Sequence, residues 1–239
     1  MEKIESALYL IPVTLGETSY ERALPEYNRS IIRGIKNFIV ENKRSAIRFL
    51  KLAYKDIDID SLSFVELNEH TELKDIAHHL DPLIKQKLPM GVISEAGCPA
   101  VADPGAAVVE IAQKKNLKVI PLVGPSSMIM AVMCSGFNGQ SFAFNGYLPV
   151  KPNERAGKLR QLENRAQNEK QTQLFIEAPY RNLKMMETIL SVCRKDTLVC
   201  VAAGLTTEQE YVHTHTVAEW KEIKEIPINK VPAIFLIYR

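Results

Sequence analysis

The chain has 239 residues, of which 46% are apolar and 24% charged, and a formal net charge of +2. This is ordinary for a soluble globular protein, long enough for one large α/β domain or two small ones, and the near-zero charge leaves room for a local basic face without demanding nucleic acid. No apolar run approaches the ~20 residues that cross a bilayer. MEKIESALYL has neither the charged start nor the long apolar core of a signal peptide, and Cys98, Cys134, Cys193 and Cys200 form no CxxC pair or His/Cys cluster. A cytoplasmic protein with buried free thiols, no structural metal and no membrane span is expected.

Residues 7–13 (ALYLIPV) read as the first strand, 37–41 as a second, 63–67 as a third, 91–94 as a fourth and 117–122 as a fifth. Between them lie a basic helix over 43–55 and a helix over 72–87, the latter with Leu73, Ile76, Leu80 and Ile84 at spacings of three and four. Five short apolar runs separated by helices predict a parallel sheet covered on both faces. Beyond Gly124-Pro125, residues 126–135 read as a helix, 142–147 as a strand, 149–152 as a turn and 154–169 as a charged helix. Residues 173–177, 197–203, 210–216 and 233–238 read as strands, with a helix opened by Pro179-Tyr180-Arg181. YVHTHTV alternates with period two, which suits an antiparallel strand and makes the second sheet mixed. The predicted architecture is two α/β domains, 1–136 and 137–239, with the boundary at the Gly136–Gly139 break.

Residues 92–125 carry the most information. VISEAGCPAVADPG is followed by AAVVEIAQKKNLKVIPLVGP, which reads as a strand, a loop rich in Gly and Pro, a crossover helix and a second strand ending in Gly-Pro. Both loops fall at carboxyl ends of strands, where open α/β sheets bind ligands. Asp103-Pro104-Gly105 alone reads as a helix cap, a first-turn proline and a relaxed glycine. With Gly97-Cys98-Pro99 just upstream, it makes a backbone-rich loop able to read a ligand through N–H and C=O groups. Neither GxGxxG nor GxxxxGK[ST] is present, which disfavours a nucleoside triphosphate.

SEAGCPAVADPG, then VGPSS, FNGYLP and FIEAPYR, resemble the tetrapyrrole methylase superfamily of S-adenosylmethionine-dependent methyltransferases. Within it the chain is most similar to the branch that methylates a ribose 2′-hydroxyl in small-subunit (16S) ribosomal RNA. LYLIPVTLGE and LNEHTE match further stretches of that branch. The resemblance implies a homodimer of two-domain α/β chains, with S-adenosylmethionine in the cleft between the domains. Carried over by position, Gly97, Cys98, Val101 and Asp103 fall on the methionine-side loop, and Ser126 and Ser127 on the next cofactor segment. Ile176 and Glu177 fall on the adenosine side, and Leu205, Pro232 and Ala233 on the adenine-side segments.

Methyl transfer from a sulfonium is an in-line displacement, so alignment and exclusion of water are the protein's main tasks. A ribose hydroxyl is a weak nucleophile and benefits from a proton acceptor. Glu95 and Glu177 are the catalytic candidates, with Asp103 a third carboxylate in place. Helix capping for Asp103, and solvated strand ends for the two glutamates, are the plain structural alternatives. Two basic clusters, Lys43–Lys55 and Lys151–Arg165, are candidate RNA contacts, each with a solvated helix face as its alternative. His213 and His215 share a strand face but lack a third metal ligand.

The chain departs from that ribosomal-RNA branch at Asn42, where the branch has Asp, and at Ala203-Gly204-Leu205-Thr206-Thr207, where the branch carries an Arg and a Glu. The cofactor loop is thus kept better than the substrate face. Two other readings stay open: methylation of a small molecule such as a tetrapyrrole, disfavoured by Cys98 standing where those enzymes have Asp, and a non-catalytic cofactor-binding dimer.

Overall fold

The computed structural model describes residues 4–67, 71 and 73–239, with the main chain alone for 73–75. Most of the LNEHTE stretch and the start of the helix predicted from residue 72 lie outside the described residues. The chain divides into two compact units, residues 1–126 and 127–239.

The first unit runs β1 (Leu8–Ile11), α1 (Tyr20–Ala23), α2 (Glu26–Arg33), β2 (Asn37–Val40), α3 (Lys43–Ala53), a 3-10 turn at Ile59–Ser61, β3 (Ser63–Glu66), α4 (Leu73–His79), α5 (Asp81–Gln86), β4 (Met90–Ile93), α6 (Gly105–Lys114) and β5 (Val119–Pro121). Its five strands are all parallel, in the order β3-β2-β4-β1-β5. Side chains alternate across the sheet. Tyr9, Ile11, Phe38 and Val40 enter one apolar layer with Phe49 and Leu50 of α3. Leu8, Ile39 and Val92 enter the other with Val108 and Ala112 of α6. Both faces are therefore covered, as the apolar runs predict.

The single helix predicted over 72–87 is two helices. Asp81-Pro82 opens α5, because proline lacks an N–H and its ring clashes with the preceding turn. The Leu-Ile periodicity survives the break, since Ile76, Leu80 and Leu83 are all buried.

The second unit runs α7 (Ser127–Ser135), β6 (Phe142–Tyr147), α8 (Pro152–Asn168), β7 (Thr172–Ile176), a 3-10 turn at Pro179–Arg181, α9 (Asn182–Val192), β8 (Leu198–Ala203), β9 (Tyr211–Thr216), α10 (Val217–Trp220) and β10 (Ala233–Tyr238). The sheet order is β6-β7-β10-β8-β9. Only the β6–β7 pair is parallel; β10 runs against β7 and β8, and β9 against β8. Leu159 and Leu162 of α8 and Met185 and Ile189 of α9 pack with Phe175, Val201 and Phe235. Trp220 is fully buried in that layer and donates its indole N–H to the Val199 carbonyl at 2.9 Å.

α7 packs on β8, β9 and β10, so the division falls at Ser126/Ser127 rather than at the expected 136/137. Gly136, with φ +76°, ends α7 in the left-handed conformation that closes many helices. The glycines placed at the domain boundary are a helix stop and the turn after it.

Candidate functional site

Every strand of the first sheet points its carboxyl end to the same edge, and three loops there are laced together. After β1, Val13 donates its N–H to the Gly97 carbonyl at 3.0 Å. After β5, the Pro125 carbonyl lies 3.4 Å from the Cys98 sulfur. Gly124 has to be glycine, because a Cβ there would sit 2.1 Å from Pro12. Val123 is held through its carbonyl by the buried Asn28 at 2.8 Å.

The loop between β4 and α6 is the most contorted stretch of that edge. Gly97, Ala100 and Ala102 all adopt positive φ, at 68°, 65° and 60°. For alanine this costs about 1 kcal/mol or more each and persists only where the surroundings enforce it. Asp103 enforces it. Its Oδ1 accepts the N–H of Gly105 at 2.7 Å and of Ala100 at 2.9 Å, tying the loop to the first turn of α6. Burial pushes the Asp103 carboxyl above its ordinary value, while these N–H donors pull the other way. Burial likewise raises the Cys98 thiol. Val101 stands exposed at the loop's tip, and Ser126 leads half-buried into α7.

Glu95 begins the same loop and accepts a short hydrogen bond from the Ser45 hydroxyl of α3. α3 is capped by Asn42, whose side-chain oxygen accepts from the N–H of Arg44 at 2.9 Å and of Ser45 at 3.2 Å. Asn caps as well as Asp does. The loss of the branch's aspartate at this position therefore leaves the helix start intact. Glu41, absent from the sequence-based candidates, lines a small cleft together with Asp103, Ser94 and Gly105. Burial, then the nearby Asp103 charge, raises its carboxyl. Its position at a strand end was visible; its neighbours were not.

In the second unit one edge of the sheet gathers Ile176, Glu177, Leu205, Pro232 and Ala233. β7 and β8 end there, and β10, antiparallel to both, begins there. Gly204 donates to the Pro232 carbonyl at 2.9 Å. The Glu177 side chain is 1% exposed. Its Oε1 accepts from Arg181 Nη2 at 2.6 Å, Arg181 Nε at 3.0 Å and the Ala178 N–H at 2.7 Å. The other oxygen, Oε2, is buried with no protein partner, and so is the Thr206 hydroxyl. Two such buried oxygens on one sheet edge are left for water or another molecule to satisfy. Thr206 was missed in the sequence because nothing local distinguishes an orphaned hydroxyl from a solvated one. Ser127, the remaining candidate, is the first residue of α7.

The turn after β8 explains the other departure. Gly204 has φ +58°, and a Cβ there would meet the Gln209 carbonyl at 2.5 Å. Thr207 closes the turn onto the Gly204 carbonyl at 2.6 Å, and Glu210 accepts the Thr206 N–H at 2.8 Å. A glutamate at 204 is incompatible with this turn. His213 and His215 stack at 5.8 Å between ring centroids, and among the described residues no group of three metal-ligating side chains occurs. No described helix is long and apolar enough to cross a membrane.

Comparison with known proteins gives the family. The family model for tetrapyrrole (corrin/porphyrin) methylases matches residues 37–221. The chain is 28% identical over 214 residues to the ribosomal RNA small subunit methyltransferase I of Vibrio cholerae, covering 89% of this chain and 69% of that protein. It is 32% identical over 159 residues to the Haemophilus influenzae protein of the same name, covering 66% of this chain and 54% of that one. Among solved structures, the methyltransferase CobJ superposes with a TM-score of 0.64 at 15% identity, covering 98% of this chain and 94% of its own. The uroporphyrin-III C-methyl transferase of Thermus thermophilus complexed with S-adenyl homocysteine gives 0.56 at 16%, covering 98% and 97%. The chain belongs to the tetrapyrrole (corrin/porphyrin) methylase family and is a methyltransferase.

Proposed function

We propose that this chain transfers a methyl group from S-adenosylmethionine to a ribose 2′-hydroxyl of small-subunit ribosomal RNA, working as a cytoplasmic homodimer. The observation that carries the acceptor is the similarity to ribosomal RNA small subunit methyltransferases across 89% of the chain. When bound, the donor supplies a methyl carbon on a sulfonium cation, open to in-line displacement by an oxygen.

The residues present suit such a donor. The loop from Gly97 to Asp103 bends its main chain at three left-handed positions, and a loop so bent can present backbone carbonyls to a cation and N–H groups to a carboxylate. Gly97, Cys98, Val101, Ser126 and Ser127 hold the methionine part, and Asp103 fixes the loop rather than touching the ligand. Ile176, Leu205, Pro232 and Ala233 hold the adenosine, with the free oxygens of Glu177 and Thr206 taking hydrogen bonds from its hydroxyl or amino groups. Glu177 is committed to Arg181 and makes a poor base, so Glu95 is the carboxylate left to accept the ribose proton as the oxygen–carbon bond forms.

The test is incubation with donor labelled in the methyl group and either small ribosomal subunits or fractionated extract. Label is expected in RNA, in a dinucleotide that resists alkali because its 2′-oxygen is blocked. Label in small molecules, or in RNA that alkali reduces wholly to labelled mononucleotides, overturns the acceptor.

A further inference from the structure

The sequence offers two basic helices, and the structure treats them differently. On α8, Lys151 pairs with Glu154 at 3.1 Å and Arg165 with Glu169 at 3.3 Å. Arg155 is 4% exposed, with Nη1 donating to the Val150 carbonyl at 3.2 Å. Lys151, Arg155 and Arg165 are therefore engaged within the chain, while Lys158 donates to the Gln161 amide oxygen and Arg160 is exposed. On α3, Arg44, Arg48 and Lys51 are all exposed, and among the described residues none has a carboxylate partner. Spaced four and three apart, they form one stripe on the solvent side of a helix whose other face buries Ala46, Phe49 and Leu50. From Arg44 to Lys51 the stripe covers about 10 Å of helix axis. Its Arg44 end lies at the carboxyl edge of the first sheet, one residue from the Ser45 hydroxyl that binds Glu95. Asp56, Asp58 and Asp60 follow the other end.

Resting on the reading above, that the acceptor is RNA, we propose that the Arg44–Arg48–Lys51 stripe of α3 is the track on which the RNA backbone lies as it reaches the Glu95 loop. Unpaired cations in a row gain most from phosphate, since no internal ion pair has to be broken first. Such contacts set register and orientation without reading sequence. The α3 stripe therefore governs how tightly RNA binds, and the choice of nucleotide lies elsewhere.

The experiment measures RNA affinity against salt and steady-state methyl transfer for wild type and two triple variants. One is Arg44→Gln/Arg48→Gln/Lys51→Gln on α3; the other is Lys151→Gln/Lys158→Gln/Arg165→Gln on α8. The α3 variant is expected to raise KM for RNA at least tenfold and to lower the slope of log affinity against log salt by roughly 2 to 3, about 0.9 per lost phosphate contact. Its melting temperature and its affinity for S-adenosylmethionine stay at wild-type values. The α8 variant changes neither KM nor slope. An α3 variant with unchanged KM and slope, while wild type methylates RNA, overturns the track and leaves the acceptor standing. Loss of donor affinity in parallel with RNA affinity also overturns it, because α3 then acts through the Glu95 loop. A wild-type protein that labels no RNA sinks the acceptor, and the track with it.

Discussion

The two strand edges that carry the candidate residues are built on opposite principles. At the edge of the first sheet the backbone is contorted and the carboxylates are occupied: Asp103 by main-chain N–H groups, Glu95 by Ser45. At the edge of the second sheet, buried oxygens of Glu177 and Thr206 lack partners. The first edge has its conformation fixed in advance; the second holds unmet hydrogen-bonding capacity. A ligand at the first edge would meet no reorganisation cost, and a ligand at the second would complete bonds the fold leaves open.

That contrast can be broken residue by residue. The largest effect is expected from Gly97→Val. A β-branched residue is strained at φ +68°, and its Cβ would lie 3.1 Å from Leu15 and 3.2 Å from the Pro125 carbonyl. Stability should fall by about 2 kcal/mol, and calorimetry should show donor affinity reduced ~100-fold, as a misplacement near 1 Å can do. Unchanged affinity would take this loop out of the donor site. Next comes Glu177→Ala, which strips Arg181 and the Ala178 N–H of their acceptor. Arg181 keeps some access to water, so denaturant unfolding should report a loss of about 2 kcal/mol rather than the larger cost of a fully buried charge.

Asn42→Ala should cost about 1 kcal/mol through the lost α3 cap, while Asn42→Asp should be neutral. If Asp stabilises by much more than Asn, the departure at this position has a structural cost after all. The smallest effect concerns Glu41. Its carboxyl is raised by burial first and by Asp103 second. A raised carboxyl keeps its proton in the folded chain after the unfolded chain has released it. Stability therefore falls as pH climbs from the unfolded value, about 4, through the folded one, and the penalty is complete above it. Glu41→Gln should gain stability over wild type at pH 7 and lose that gain below about pH 4. Thermal melts across pH would reveal it.

What the sequence made legible follows from what is local. Gly97, Pro99, Pro104 and Gly124-Pro125 announce turns because glycine permits bends other residues resist and proline fixes φ, so the first edge could be found by reading along the chain. Short apolar runs located ten strands among the described residues, because both faces of the first sheet are apolar and most of the second is buried as well. Pro82 broke a helix whose apolar spacing ran straight through it, while the helix ending at Ser135 was legible and only its allegiance to the second unit was not, because that depends on its packing against β8, β9 and β10. The orphaned oxygens of Glu177 and Thr206 and the placing of Glu41 beside Asp103 are tertiary facts. No spacing rule encodes them, since each depends on which strand lies next to which.

Thr206→Val tests the donor site most directly, because the two shapes match and only the hydroxyl's polarity is lost. Titration of S-adenosylmethionine into wild type and variant should give one site per chain, with the variant bound about tenfold more weakly, while the variant's unfolding free energy stays equal or rises by up to ~1 kcal/mol once an unsatisfied buried hydroxyl is gone. Equal affinities, or no binding to the wild-type chain at all, would contradict a donor site at this edge.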